Sequence, residues 1–402
     1  MKKQINKTEK LHYEYLIKIL SSANNQKTPP MPCKDIDFEY MISIAESCGV
    51  EAIFANTILN LEDKSKISAT ILNKLESIKN KQLLIDSVRE FEIEKVLRFF
   101  DENKVKNLPL KGYYLKNEYP RSDFRATCDY DILFDEKDIH TVKEVFDCLG
   151  YKFIKNDDTQ YHFTKKPYMY IEMHSSLVHR NNRHYTLLKN QLNHSIESKN
   201  YKYSYNMSCE DFYVFLIVHS SNHFKSGGMG IRMLLDIYVY TNNHTNDFDY
   251  TYLNSRLSQL KLDKFEKSIK QIAYNWFSPN SSAIQFNDIE TYILLSATLG
   301  RLSVSVMVES ENSISKSNKN KNKFIHLLSS VFIPRNNLKY TYSYLEKFPL
   351  LLPVAWVSFW FNRIFVNKDV NIKRGLQNRL SYTEDDVSYF NKLLDTLGLQ
   401  NN

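Results

Sequence analysis

Glycine is scarce in this sequence, at 9 of 402 residues, or about 2% where about 7% is usual. Hairpin turns favour backbone conformations that glycine adopts most easily, so a long array of tight hairpins is excluded and helices are expected to dominate. The five cysteines are far apart and include no CxxC pair: Cys33, Cys48, Cys128, Cys148 and Cys209. Neither a disulfide framework nor a zinc site is indicated, and a reducing cytoplasm is the expected compartment.

Long hydrophobic runs are also missing. Residues 1–20 are basic in part but hold no apolar stretch of signal-peptide length, so export by that route is not expected. Residues 348–366 are strongly apolar, yet two prolines, an asparagine and an arginine interrupt them. Because a bilayer span needs about 20 mostly apolar residues, we expect a buried core helix here and no membrane span. An interfacial helix is the alternative.

The composition is that of a folded globular protein, with 43% hydrophobic, 25% charged and 13% aromatic residues. The net charge of +7, from 53 basic and 46 acidic residues, comes from lysines scattered along the whole chain. Such an excess is compatible with an anionic substrate such as a nucleotide. A nucleic-acid binder would concentrate its charge on one element, so duplex binding is not expected.

Periodicity divides the chain into three regions. Residues 1–103 read as an N-terminal helical lobe, 104–206 as a core that contains strands, and 207–402 as a C-terminal helical region with a polar linker at 309–323. The central region predicts five strands, at Asn107–Leu110, Asp129–Phe134, Tyr151–Ile154, Gln160–Thr164 and Tyr168–His174. The expected fold class is therefore α+β, a small mixed sheet flanked by helices.

Two aspartates stand one residue apart in a predicted strand. Asp129 and Asp131 should leave the same face of that strand, while Glu172 in another strand could supply a third carboxylate. Carboxylates this close repel one another, and a bound divalent cation such as Mg²⁺ is the usual resolution. The alternative is that these acidic residues at strand ends are simply solvated.

Basic residues and a glycine precede the acidic strand. Gly112 would let the backbone approach a ligand, and the helix after it would present free N–H groups to phosphate oxygens, with Lys111 adding charge. A plain surface turn at Lys111-Gly112 is the alternative. Arg125, four residues before Asp129, either contacts a triphosphate or neutralises the carboxylates.

Taken in order, these motifs resemble a known family. The segments LPLKGYYLKNEYP, RATCDYDILF, YIEMHSSL, HSSNH and IRMLLDIYVY are similar to those of the bacterial nucleotidyltransferase family within the polymerase-beta-type superfamily. The resemblance covers about residues 80 to 240. It departs at one point, because the wider superfamily has a Gly-Ser pair after the first strand, whereas here Tyr113 follows Gly112.

The resemblance implies specific roles. Asp129, Asp131 and Glu172 would be catalytic and would bind the metal, Mg²⁺ or Mn²⁺, and Lys111, Gly112 and Arg125 would contact the nucleotide. It implies transfer of a nucleoside monophosphate from an NTP to a hydroxyl of a small molecule or protein side chain, with release of pyrophosphate. A catalytically silent relative that binds a nucleotide or a partner protein is the alternative.

Four further residues stand out. His174 shares a strand face with the neighbouring glutamate, so it would either orient that carboxylate or be structural. His219 and His223 are one helical turn apart but lack the glutamate of an HExxH motif, and we predict a structural role for both. Asp236 lies in an apolar helix, where it is either buried with a partner such as His219 or Arg232 or close to the acceptor.

Overall fold

The structure is a computed structural model. It describes residues 5–157, 159–180, 182–226, 228–280, 284–296, 332, 335–338, 342, 344–361 and 384–400. The predicted linker at 309–323 lies outside these residues. The α+β prediction is confirmed, because the described chain is mainly helical around a small mixed sheet of five strands.

Four helices precede the sheet: α1 (Lys7–Asn24), α2 (Phe38–Cys48), α3 (Glu51–Leu59) and α4 (Ala69–Glu102). Side chains cap three of them, and in α1 the cap is reciprocal: Asn6 accepts from the backbone of Glu9, whose side chain accepts from the backbone of Asn6. Helix α4 is 34 residues long and its buried residues are concentrated near its two ends. It therefore contacts two different parts of the core.

The sheet has the order β1-β2-β5-β4-β3, from strands β1 (Asn107–Pro109), β2 (Tyr130–Phe134), β3 (Lys152–Asp157), β4 (Gln160–Lys165) and β5 (Met169–His174). Strands β2 and β5 are parallel, and the other neighbours are antiparallel. Helices α5 (Lys111–Glu118) and α6 (Ile139–Cys148) follow β1 and β2. We expected Lys111-Gly112 to be a turn before the helix, but α5 begins at Lys111 itself.

Beyond the sheet, a short helix α7 (Tyr185–Leu188) and a small hairpin of β6 (Ile196–Glu197) and β7 (Tyr205–Asn206) lead into the helical region. Its main helices are α8 (Cys209–Ser226), α9 (Ile231–His244), α10 (Tyr250–Gln259), α11 (Asp263–Phe277) and α12 (Asp288–Leu295). Ser208 caps α8 by accepting from the backbone of Asp211. Further described helices are Arg335–Leu338, Tyr344–Lys347, Leu352–Phe361 and Glu384–Thr396, and short 3-10 turns are Ser122–Phe124, Glu136–Asp138, Gln191–His194 and Pro349–Leu351.

The N- and C-terminal helices share one hydrophobic core. Helix α1 packs on α11, and buried residues of α1 to α3 belong to the same cluster as those of α8 to α12. A second cluster lies between the sheet, α6 and the C-terminal half of α4. The sheet is thus held beside a single helical body, although the predicted boundaries at 103 and 206 remain predictions.

The prediction of a buried core helix at 348–366 is wrong for the residues that the structure describes. Residues Leu352–Phe361 are helical, but of these ten only Ala355 is buried, and Leu350 just before them is 93% exposed. The helix packs with Leu338 and Leu345 in a small cluster of its own, outside the main core. Across the described residues, we find no helix with the length and apolarity to cross a bilayer.

Candidate active site

Strands β2 and β5 bring two predicted carboxylates side by side. Asp131 pairs in register with Glu172 across the parallel strands, so the two side chains leave the same face. His174, two residues after Glu172, shares that face. Both strands are rich in buried apolar residues on the other side, which fixes this register.

Asp131 is buried and has two cationic neighbours. Lys111 Nζ lies 2.9 Å from its Oδ2, and His174 Nε2 donates to its Oδ1 at 2.9 Å. Burial by itself would raise the pKa of Asp131, but the charge of Lys111 and the hydrogen bond from His174 outweigh it and hold the pKa well below its usual range. Burial lowers the pKa of His174, yet bonds to Asp131 and Glu172 raise it to about 9. The aspartate is therefore ionised and the histidine is charged at neutral pH.

Glu172 lies between two histidines. His162 Nδ1 is 3.4 Å from Oε1 and His174 Nε2 is 3.6 Å from Oε2. Burial would raise the pKa of Glu172, but bonds from these two rings bring it down to about 2. Sequence reasoning missed His162, although its place in β4 opposite Glu172 follows from the strand register once the sheet order is known.

Asp131, Glu172 and His174 can hold a divalent cation between them. One ligand atom from each residue lies within 4.8 Å of the other two. Asp129 stands just before β2 and borders the same cleft, where burial and then the charge of Asp131 raise its pKa. The structure thus groups two of the predicted metal ligands with His174, and participation of Asp129 stays a prediction.

Gly112 serves a close approach inside the protein. A Cβ atom at this position would lie 2.7 Å from Cγ2 of Thr127 and 3.2 Å from the carbonyl oxygen of Asp129. Glycine therefore lets the first turn of α5 pack directly on the loop that leads to Asp129. Lys111 at the start of the same helix reaches the carboxylate of Asp131, as described above.

Arg125 is engaged inside the protein. Its Nε and Nη2 donate to the two carboxylate oxygens of Asp236 at 2.7 and 2.9 Å, and Tyr119 also donates to Asp236 at 2.7 Å. The partner of Asp236 is thus Arg125, and not His219 or Arg232 as we expected. Burial would lower the pKa of Arg125, but the charge of Asp236 raises it above its already high value. A contact between Arg125 and the nucleotide stays a prediction.

His219 and His223 face the site from α8. Lys111 Nζ lies 3.4 Å from both ring nitrogens of His219, and the two histidine rings are 4.4 Å apart. Burial, followed by the charge of Lys111, lowers the pKa of His219 far below its usual value and that of His223 to about 4. Both rings are neutral. The sequence predicted a structural role, and it gave no sign that this helix face would border the carboxylates.

Two cavities meet at the carboxylates. A cleft of about 580 Å³ lies between β2, β5 and α8 and is lined by Asp129, Asp131 and Glu172. A smaller cavity of about 80 Å³ lies toward Arg125 and Arg232. The residues that border both are Lys111, Asp129, Asp131, His219 and His223. Two ligand groups could therefore meet at the acidic cluster, one from each side.

Paired carboxylates on adjacent strands, next to the start of a helix that carries a lysine, define a site suited to a metal ion and phosphates. Residues 34–278, more than half of the chain, match the model of a protein family described as uncharacterised nucleotidyltransferase. The chain belongs to that family, which supports nucleotide transfer as its general chemistry.

Among solved structures, the chain is similar to the antibiotic-resistance factor ANT(2'')-Ia, whose solution structure reveals substrate-regulated conformation dynamics. The TM-score is 0.34 and the sequence identity 10%, over 44% of this chain and 94% of that one. No curated protein matches the chain.

Proposed function

We propose that this protein transfers a nucleoside monophosphate from a nucleoside triphosphate to an acceptor hydroxyl and releases pyrophosphate. The observation that carries the proposal is the register of Asp131 with Glu172 in a cleft that also holds Lys111. Membership of the nucleotidyltransferase family supports it independently. The acceptor is proposed to be a small molecule or a protein side chain.

The donor set fits a hard divalent cation. Asp129, Asp131 and Glu172 offer carboxylate oxygens at the edge of one cleft, which is the ligand type that Mg²⁺ and Mn²⁺ prefer. His174 supplies a nearby nitrogen whose present partner is Asp131. When bound, such an ion would balance phosphate charge and favour the ionised acceptor oxygen.

The side chains around the cleft can perform the remaining tasks. Lys111, with the first N–H groups of α5, would bind phosphate oxygens. Glu172 is ionised and would accept the proton of the acceptor hydroxyl. The acceptor oxygen then bonds to the α-phosphorus while the bond from that phosphorus to the bridging oxygen breaks. The electron pair leaves with pyrophosphate, so no covalent enzyme intermediate is required.

A catalytically silent nucleotide-binding relative is the second candidate. The observation that favours it is Tyr113, which follows Gly112 where the wider superfamily has a serine. The hydroxyl of Tyr113 donates to Glu94 at 3.1 Å, and Tyr113 does not line the cleft of the carboxylates. The serine hydroxyl is therefore not replaced by the tyrosine hydroxyl, and Lys111 would have to supply the phosphate contact.

The test is incubation of the purified protein with each α-labelled NTP and Mg²⁺ or Mn²⁺. Even without its natural acceptor, the protein should release pyrophosphate slowly, because water can replace the acceptor hydroxyl. Release should stop in Asp131→Asn and persist in Asp147→Asn, a matched change at an exposed position of α6. Nucleotide binding without any pyrophosphate release would support the silent relative and contradict transfer.

A further inference from the structure

Lys225 is a cation without a matching anion. It lies near the end of α8, is partly buried, and lines the 580 Å³ cleft together with Asn222 and Ser226. Among the residues that the structure describes, no carboxylate forms an ion pair with it. Lys116, in contrast, is buried with Asp86 at 3.4 Å and Glu90 at 3.6 Å.

A second cation, Arg183, lies in the loop that contacts α8 about one turn before Lys225. The loop before α7 contacts α8 through Asn182, whose side-chain amide donates to Asn222 at 3.3 Å. The next residue is Arg183, whose Nε donates to the ring of His184 at 3.1 Å. Burial, followed by the positive charge of Arg183, lowers the pKa of Lys225 to about 8. The contact of this loop with α8 and the effect of Arg183 on that pKa together indicate two like charges near each other in a partly desolvated place.

This arrangement is unfavourable until an anion arrives. Like charges repel, and burial removes the water that would solvate them. A bound anion would offset the repulsion and would replace the lost solvation, so both effects favour its binding. The neutral neighbours Asn182, Asn222 and Ser226 line the same end of the cleft and can donate further hydrogen bonds. The three acidic residues of the cleft are the site carboxylates described above, and two of them already have a cationic partner in Lys111 or His174.

We infer that Lys225, with Arg183 beside it, binds a phosphate group at the α8 end of the cleft. The inference rests on the proposed function, since a phosphate ester has to reach the acidic cluster through this cleft. The group is either a phosphate of the nucleotide that leaves as pyrophosphate or a phosphate carried by the acceptor.

The test is calorimetric titration of the full-length chain, with Mg²⁺ present, using inorganic pyrophosphate, a non-hydrolysable NTP, the corresponding NMP and inorganic phosphate as probes. Lys225→Gln removes the charge, Lys225→Arg keeps it, and Lys18→Gln is the matched control on the exposed face of α1. Lys225→Gln should weaken phosphate binding by about ten-fold or more, the scale of one charge-assisted hydrogen bond. Lys225→Arg should restore most of it, and Arg183→Gln should give a smaller loss.

The probes distinguish the two sources. If Lys225→Gln binds pyrophosphate and the NTP analogue more weakly than the parent but binds NMP with unchanged affinity, the site belongs to the nucleotide. If Lys225→Gln binds the NTP analogue as the parent does, but binds inorganic phosphate more weakly when that analogue is already bound, the site belongs to the acceptor. The inference is overturned if Lys225→Gln binds every probe with the same affinity as Lys18→Gln. It is also overturned if the parent protein binds none of the probes.

These measurements are independent of turnover. A chain that binds pyrophosphate through Lys225 but transfers no nucleotide keeps this inference and loses the proposed function. A chain that transfers nucleotide while Lys225→Gln behaves like the control loses this inference alone. Circular dichroism of each variant verifies that the fold is intact.

Discussion

Two groups of charges border the same small cavity, one through Arg125 and Asp236 and the other through Asp131, and they differ in whether they also open on the larger cleft. In the first, Arg125 and Asp236 match one cation to one anion through two hydrogen bonds, and Tyr119 completes the set. In the second, each carboxylate oxygen of Asp131 and Glu172 also has a partner, but both side chains border the 580 Å³ cleft. The paired group of Arg125 and Asp236 joins elements of the fold, whereas the open group of Asp131 and Glu172 faces a space that a ligand can enter.

The difference separates structural charge from candidate chemistry. Arg125 precedes β2 and Asp236 lies in α9, so their bond ties the loop before the acidic strand to the helical body. Asp131 lies in β2 itself and meets Lys111 of α5 at the cleft. Perturbed pKa values alone would not separate the two groups, because Arg125 and Asp131 are both buried and both have shifted pKa values.

The largest expected effect is on activity at the open group. Asp131→Asn should lower pyrophosphate release by about 10³-fold or more, because it removes a charge proposed to act on the transition state. Asp129→Asn should also abolish turnover if this residue is a metal ligand. The fold should survive both changes, as judged by circular dichroism. Full activity in verified, folded Asp131→Asn protein would sink the assignment of the open group.

Breaking the paired group should act on stability instead. Arg125→Met leaves Asp236 buried without its cation, and we expect a loss of about 3–5 kcal/mol in the free energy of unfolding. The double variant Arg125→Met, Asp236→Leu should lose less than the single one, since no lone charge remains. Lys74→Met, which breaks an exposed pair with Glu39, should cost under about 1 kcal/mol.

Denaturant titration measures all three variants of this comparison. If Arg125→Met is as stable as Lys74→Met but fails to bind NTP, the guanidinium belongs with the nucleotide and the contrast between the two groups is wrong.

His174 makes the stability of the open group depend on pH. Its pKa is raised from 6.5 to about 9 in the folded protein, so its contribution is fully present below pH 6.5 and is lost as the pH rises through 9. That contribution is about 3 kcal/mol. The parent should therefore lose stability between about pH 6.5 and 9, and His174→Gln should lose much less over the same range.

Unfolding is followed in metal-free buffer at each pH, so that ligand binding does not contribute. His140→Gln, at an exposed position of α6, should keep the pH slope of the parent. If the free energy of unfolding had the same pH dependence in the parent and in His174→Gln, Asp131 and Glu172 would not raise the pKa of His174 in the folded state.

Local patterns were enough to predict the individual strands. Alternation and β-branched runs gave all five strands to within a few residues at each end, and Gln160–Lys165 was predicted to within one residue. What the patterns could not give was packing between distant segments. The segment at 348–361 is apolar enough for a core, but its surroundings are decided by tertiary contacts that hydrophobicity does not encode.

The candidate site shows the same division between what local patterns predict and what depends on packing between distant segments. Asp131 and Glu172 were predicted as metal ligands from their own strands, because a period of two determines which face each side chain occupies. The partners of Asp236 and the position of His219 depend on how α8 and α9 dock on the sheet, so sequence spacing could not supply them. The role of Gly112 was likewise hidden, since its close neighbour is Thr127, fifteen residues away.

The smallest expected effect concerns Gly112, which lies where α5 meets the loop between the two groups. Alanine favours helices by up to about 1 kcal/mol, but here its Cβ would lie 2.7 Å from Cγ2 of Thr127, and such overpacking costs about 1–3 kcal/mol. Gly112→Ala should therefore lose about 1 kcal/mol of stability overall and part of its activity, because relief of the clash moves the loop that carries Asp129.

Thr127→Ser removes Cγ2, so the double variant with Gly112→Ala should recover most of both losses. Thr127→Val keeps a methyl group at that position, so its double variant should recover neither. A double-mutant cycle by denaturant titration isolates the contact. If the changes in the free energy of unfolding were additive in that cycle, α5 and the loop would not be in contact at Gly112. The position of Asp129 beside the open group would then depend on other contacts.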